Sequence, residues 1–218
     1  MKFQAEVELV GALKTYLKSL YHREHIKIFE EVSVGYGIAD IVVTDLKEGC
    51  LPCITKNSLT SMEINIYYLF LKFKKLTAKE IIDITRCSRR SIMDAICNLL
   101  DQGYLLNKNE SYFINRDYEM PFRSNFAIEV KLKDWKRALK QAYRYKWFAE
   151  YSFVVLDSHY NKAALKNLDL FIKYNVGLAS ISREGVMQRH YSPKRQEPID
   201  IKMQMLFSEK LKSQILLK

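Results

Sequence analysis

The stretch AIEVKLKDWKRALKQAYRY, residues 127–145, begins as a strand and ends as a helix. Side chains of a strand alternate between its two faces. Phe126, Ile128, Val130 and Leu132 therefore share one face, which is wholly apolar, while Ala127, Glu129 and Lys131 share the other. An acid and a base two residues apart thus point to one place. The plain reading of such a pair is an ion contact on a solvated edge. A second carboxylate weighs against it. Asp40 lies in GYGIADIVV, with Val42 on its own face and Ile41 and Val43 on the other. A carboxylate in so apolar a strand needs a partner or a cation. Two carboxylates and a lysine converging from neighbouring strands can hold Mg²⁺, an ion that takes hard oxygen ligands and keeps waters for chemistry, with Mn²⁺ as the alternative. The lysine can position an attacking water, lower its pKa or neutralise charge developing on a phosphoryl group.

Working outward, residues 3–20 carry apolar side chains near a 3.6-residue period, Val7, Val10, Leu13, Leu17 and Leu20, which predicts an amphipathic helix. IKIFEEVSV follows as a strand with Ile26, Ile28 and Val32 on its buried side, then a Gly35/Gly37 turn and the strand IADIVVTDL, giving a hairpin. GCLPCITKNSLT reads as a loop, and the periodicity becomes helical from Ser61. MEINIYYLFLKFKK is a helix, and Thr77 and Glu80 form a capping box opening a short helix to Thr85. Ser88 caps a third helix with Ile92, Ala95, Ile96, Leu99 and Leu100 inward and Gly103 just past its end. A β-ribbon turning at residues 108–110 completes this segment. Beyond Pro121 the order is strand, a helix capped by Asp134 and running to Glu150, strand 151–157, helix 163–175 and strand 176–182, an α/β pattern with mixed or parallel pairing. The basic end from Gln188 is partly helical.

The 218 residues are 48% apolar, enough for a sizeable core, and Gly and Pro are too scarce for a disordered or fibrous chain. The N-terminus lacks an apolar signal region and Ile64–Phe73 is too short to span a bilayer, so a cytoplasmic protein without a membrane partner is expected. The formal charge of +10 implies a polyanionic partner, and between Arg123 and Lys146 eight Lys/Arg face only two acids. Cys50 and Cys53 have the spacing of half a zinc site or a redox pair, but no second such pair follows, and reduced thiols are the simpler reading. Cys87 and Cys97 read as helical core positions. No GxxxxGK[ST] phosphate loop is present, which excludes that route to ATP use, and His22-Arg-Glu-His25 is not a zinc-protease HExxH.

Asp40, then Glu129-Val130-Lys131 after 88 intervening residues, resembles the D…(D/E)xK signature of the PD-(D/E)XK nuclease superfamily, with Ala39 where proline is common. Gln141 and Tyr145, four apart on one helical face, resemble the QxxxY motif of one branch of it. The segment 62–117 resembles a winged helix-turn-helix. These resemblances imply an α/β restriction-endonuclease-like fold, a mixed sheet flanked by helices, with residues 1–58 and 119–218 forming the nuclease core and 59–118 an inserted winged helix. They further imply a Mg²⁺-dependent deoxyribonuclease. Asp40 and Glu129 would bind metal, joined by a glutamate of the first helix, Glu8 with Glu6 as the alternative. Lys131 would act on water, and Gln141 and Tyr145 would support substrate or lysine. DNA would be contacted by Arg86, Arg89, Arg90 and Lys108 in the insert, and by Lys133, Lys136 and Arg137 beside the site. Further partners would be a second copy or a larger nuclease complex. The rival expectations are a non-catalytic DNA-binding or regulatory protein on the same scaffold, and a nuclease subunit that needs its complex.

Overall fold

The computed structural model describes residues 2–33, 35, 37–49 and 58–216; Cys50 and Cys53 lie outside them. The chain divides into two compact units, one of residues 1–48 and 122–204, the other of residues 49–121 and 205–218. The tail from Met205 thus belongs with the middle segment, where the sequence had assigned it to the second half of the core.

The first unit is α/β. It begins with α1 (Glu6–Leu20), β1 (Ile26–Ser33) and β2 (Ile38–Leu46). The second unit contributes α2 (Ser61–Phe73), β3 (Lys75–Thr77), α3 (Ala78–Thr85), α4 (Arg89–Asp101), β4 (Leu105–Lys108) and β5 (Ser111–Ile114). The first unit resumes with β6 (Phe122–Lys131), α5 (Trp135–Tyr145), β7 (Tyr151–Asp157), α6 (Lys162–Leu165), α7 (Leu168–Tyr174), β8 (Gly177–Ile181) and β9 (Met187–Tyr191), and α8 (Ile201–Leu216) closes the order.

Among the described residues, six strands of the first unit form one mixed sheet in the order β1-β2-β6-β7-β8-β9, parallel from β6 to β8 and antiparallel elsewhere. Helices flank it. Leu9, Leu13 and Leu17 of α1 pack with Ile41, Val43, Ile128, Val130 and Ile181, and burying each such side chain contributes about 1.5–3 kcal/mol. The α1 stripe is therefore not the expected one: Val7 and Leu20 are exposed and Leu9 is the buried anchor. In β1, Phe29 and Val32 are buried whereas Ile26 and Ile28 are half-buried. On the other side, α5 packs against β6 and β7 through Ala138, Leu139 and Ala142. It ends at Tyr145 rather than Glu150. Glu150 is buried, accepting the Asn125 amide at 2.7 Å and the Gln204 amide at 2.8 Å, and it precedes β7 directly.

The second unit packs α2, α3 and α4 around Ile64, Phe70, Ile81, Ile92, Ile96 and Leu99, beside the small sheet β3-β5-β4. Both short helices start where their caps dictate: Thr77 and Glu80 form the capping box of α3, and the Ser88 hydroxyl accepts the Ser91 amide at α4. Asn109 and Glu110 take positive φ of 49° and 61° in the tight turn of the β4–β5 ribbon. Cys87 sits half-buried between α3 and α4, and Cys97 is exposed. Cys97 is off the core because it lies about 100° round the helix from buried Ile96. Glu209 of the tail accepts the Leu59 amide at 2.8 Å and bonds Lys212 at 2.7 Å and the Tyr118 hydroxyl.

Glu63 is a buried carboxylate in this unit. It accepts the Thr60 amide at 2.7 Å, completing a capping box at α2, and the Asn98 side-chain amide of α4 at 2.9 Å. Glu63→Ala removes the box and strands a buried amide, so it lowers stability by about 2 kcal/mol in urea unfolding, and Glu63→Gln by less.

Candidate active site

The site forms where the β2–β6 ladder ends. The backbone pairing runs to Ile41 opposite Ile128, and one further step sets Asp40 opposite Glu129. There the side chain takes over from the backbone: Asp40 Oδ2 accepts the Val130 amide at 2.7 Å. Across β1 the same counting sets Glu31 opposite Asp40, since Glu30 pairs with Ile41 and Val32 with Ala39. Glu31 has φ of 50°, a left-handed conformation uncommon outside glycine, so the strand is contorted beside the site.

Glu129 is 1% exposed. One of its oxygens receives the Lys131 ammonium at 3.1 Å and the other the Tyr145 hydroxyl. That hydroxyl also lies 2.7 Å from the Ile38 carbonyl, so Tyr145 spans α5, β2 and β6. Lys131 Nζ further contacts the Val130 carbonyl and Glu6 Oε2, each at 3.1 Å. Asp40, Glu129 and Lys131 thus meet, as the alternation of β2 and β6 requires. Gln141, one turn before Tyr145, has its Oε1 buried without a hydrogen-bond partner.

The α1 glutamate is Glu6, not Glu8. Glu8 instead accepts the Gln4 amide at 3.1 Å and lies 4.0 Å from Arg183. The reason is helical phase: Glu6 precedes buried Leu9 by three residues and shares its face, whereas Glu8 is adjacent to Leu9 and turned away. A stripe through Val7 would turn Glu6 away from the sheet; the stripe through Leu9 turns it in.

Electrostatics follow from burial. Burial raises Asp40 above the usual carboxylate range; the Val130 amide and Lys131 oppose this, and Glu6 and Glu31 add to it. Burial also raises Glu129, with Asp40 adding to it and the Tyr145 hydroxyl and Lys131 opposing. For Lys131 burial pulls downward, but Glu129, Asp40 and Glu6 outweigh it and hold the ammonium above its ordinary value. Burial, then the Glu129 charge, raises Tyr145, which stays a neutral donor.

Among the described residues, no group of three or more His, Cys, Asp or Glu is gathered to hold a metal ion. The hard oxygen donors that meet here are the carboxylates of Asp40 and Glu129. Arg86, at the C-cap of α3, and Arg89 and Arg90, opening α4, are exposed, as is Lys108 at the end of β4. In the first unit, Lys133, Lys136 and Arg137 are exposed at and just before the start of α5.

No family model, no curated protein and no solved structure matches the chain. No helix among the described residues is long and apolar enough to cross a membrane.

Because Asp40 is raised above its unfolded value of about 3.9, the folded state loses stability as pH rises through the folded pKa. Asp40→Asn keeps an oxygen for the Val130 amide but carries no charge. In EDTA it melts above wild type near about pH 8, and the gap closes as pH falls towards about 3, measured by thermal denaturation.

Proposed function

We propose that this protein is a Mg²⁺-dependent deoxyribonuclease of the PD-(D/E)XK type, with the second unit serving as a winged helix that contacts DNA. The observation that carries the reading is the meeting of Asp40, Glu129 and Lys131 at the end of β2 and β6. Burial disfavours both carboxylates as anions, and Asp40 adds to this at Glu129, which is the condition a divalent cation relieves. Asp40 and Glu129 would hold the metal, which supplies a Lewis-acid charge to a phosphodiester oxygen. In this reading the mixed sheet of the first unit, with its flanking helices, would serve as the restriction-endonuclease-like core that carries these groups.

Glu129, Asp40 and Glu6 favour the ammonium form of Lys131. Its role is electrostatic: the ammonium orients an attacking water by donating to it, and it stabilises charge as the phosphorus–oxygen bond forms. Tyr145 fixes one oxygen of Glu129 and thereby the carboxylate plane. Gln141, with a buried acceptor left unpaired, is available to bond a water or substrate donor at the same helix face. In the second unit, support for DNA contact comes from Arg89 and Arg90, exposed at the N-terminal end of α4, the end that enters the major groove in helix-turn-helix proteins.

One observation favours a second reading, a non-catalytic DNA-binding protein on this scaffold. Both oxygens of Glu129 are already engaged within the chain. Calorimetric titration with Mn²⁺ separates the two: the nuclease shows a binding heat that Asp40→Asn abolishes, and the scaffold shows none.

In a plasmid-relaxation and duplex-cleavage assay, wild type cuts with Mg²⁺ and not with EDTA, and Lys131→Ala is slower by about 10²–10³-fold. Wild type that cuts neither duplex nor branched DNA with Mg²⁺ or Mn²⁺ overturns the nuclease reading.

A further inference from the structure

The helix that carries Gln141 and Tyr145 has a second face with no part in the site. Trp135, Leu139 and Tyr143 of α5 line a slot of about 440 Å³ together with Tyr174 of α7, and Lys136 and Lys140 stand at its rim. The volume is within the range of small-ligand clefts, and the slot is open to solvent on one side. Tyr143 and Tyr174 meet edge to face, with centroids 5.5 Å apart, yet they remain 42% and 39% exposed. Two tyrosines held against each other with open ring surface offer a stacking platform at low entropy cost.

The platform is built into the fold. Lys146 is 7% exposed, donates to the Tyr174 carbonyl at 2.8 Å, and lies 5.3 Å from the Tyr143 ring centre. It therefore ties the two tyrosines together and adds positive charge behind them. Lys136 lies 5.7 Å from the Trp135 ring and Lys173 lies 5.6 Å from the Tyr174 ring. The nearby acids are Asp134, whose carboxylate caps α5 by accepting the Arg137 amide, and exposed Asp169 on α7.

Helical geometry orders these groups. At roughly 100° per residue, going round α5 from the slot leads first to Lys140, then Arg144 and Arg137, and then to Gln141 and Tyr145 of the site. A stripe of three cations thus separates the aromatic slot from the carboxylates. A phosphodiester backbone matches that stripe, and a base matches the slot. A base within a duplex has both ring faces covered by its neighbours, so an unpaired base is the one with a free face to give.

We infer that the α5–α7 slot stacks an unpaired nucleobase, which makes single-stranded DNA or a single-stranded flank the substrate class of the neighbouring site. The inference rests on the nuclease reading for the word substrate, and on the slot alone for the binding.

Fluorescence anisotropy in EDTA tests the binding without cleavage. The probes are a twelve-residue oligothymidylate (about one site length for a single-strand-binding fold), an abasic strand of the same length, and a blunt duplex. Wild type binds oligothymidylate about ten-fold or more tightly than the abasic strand, the range expected for one stacked base. Tyr143→Ala with Tyr174→Ala abolishes that preference, while Tyr143→Phe with Tyr174→Phe keeps it. Equal affinity of wild type for the base-bearing and abasic strands overturns the inference, as does a preference that survives the double alanine change. Cleavage that persists in that case leaves the nuclease reading standing. A tyrosine-dependent preference in a protein that cuts nothing removes the nuclease reading and supports the slot.

Discussion

The hydrogen bond from the Val130 amide to Asp40 Oδ2 is the constraint on which the site depends. It forms one step past the last backbone pair of β2 and β6, so a side chain caps a ladder that would otherwise leave an amide unsatisfied. It also joins two segments that are 90 residues apart in the chain. With that bond made, strand alternation leaves Glu129 and Lys131 little choice. Both must share the Asp40 face, and the apolar residues between them must point the other way into the α1 layer.

The arrangement costs stability locally. Burial raises the proton affinity of Asp40 and Glu129; Glu6 and Glu31 add to it at Asp40, Asp40 adds to it at Glu129, and Lys131 opposes it at both. A register of like charges on adjacent strands opposes pairing. Such concentrations of unfavourable charge are characteristic of functional positions, where local stability is given up for chemistry. Tyr145 and the Val130 amide limit the cost by donating to the two most buried carboxylates.

Much of this was legible from residues alone, because periodicity and caps act locally. The Asp40/Glu129/Lys131 convergence follows from counting by twos, and the starts of α3, α4 and α5 follow from Thr77, Ser88 and Asp134. What escaped depends on packing. In α1, Val7 and Leu9 fit a helical stripe equally well until the sheet selects Leu9, and that selection decides between Glu6 and Glu8. The helix expected over 163–175 breaks at Asn167 into α6 and α7. The short strands β3 and β9 exist through their partners β5 and β8, and three to five residues carry too little pattern to announce them. In α5, Tyr143 stands at helical spacing from buried Trp135 and Leu139, and only its exposure distinguishes slot from core.

Neither unit is continuous in the chain, and Glu209 shows what that entails. Its carboxylate accepts the amide of Leu59, 150 residues upstream, and it pairs with Lys212 in the same interior. The ribosome delivers a chain in one direction, at about 5–20 residues per second. The middle segment must therefore wait several seconds for its last polar partner, while the strands of the sheet are made in between. Nascent residues 59–121 spend that interval with the Leu59 amide lacking its native acceptor.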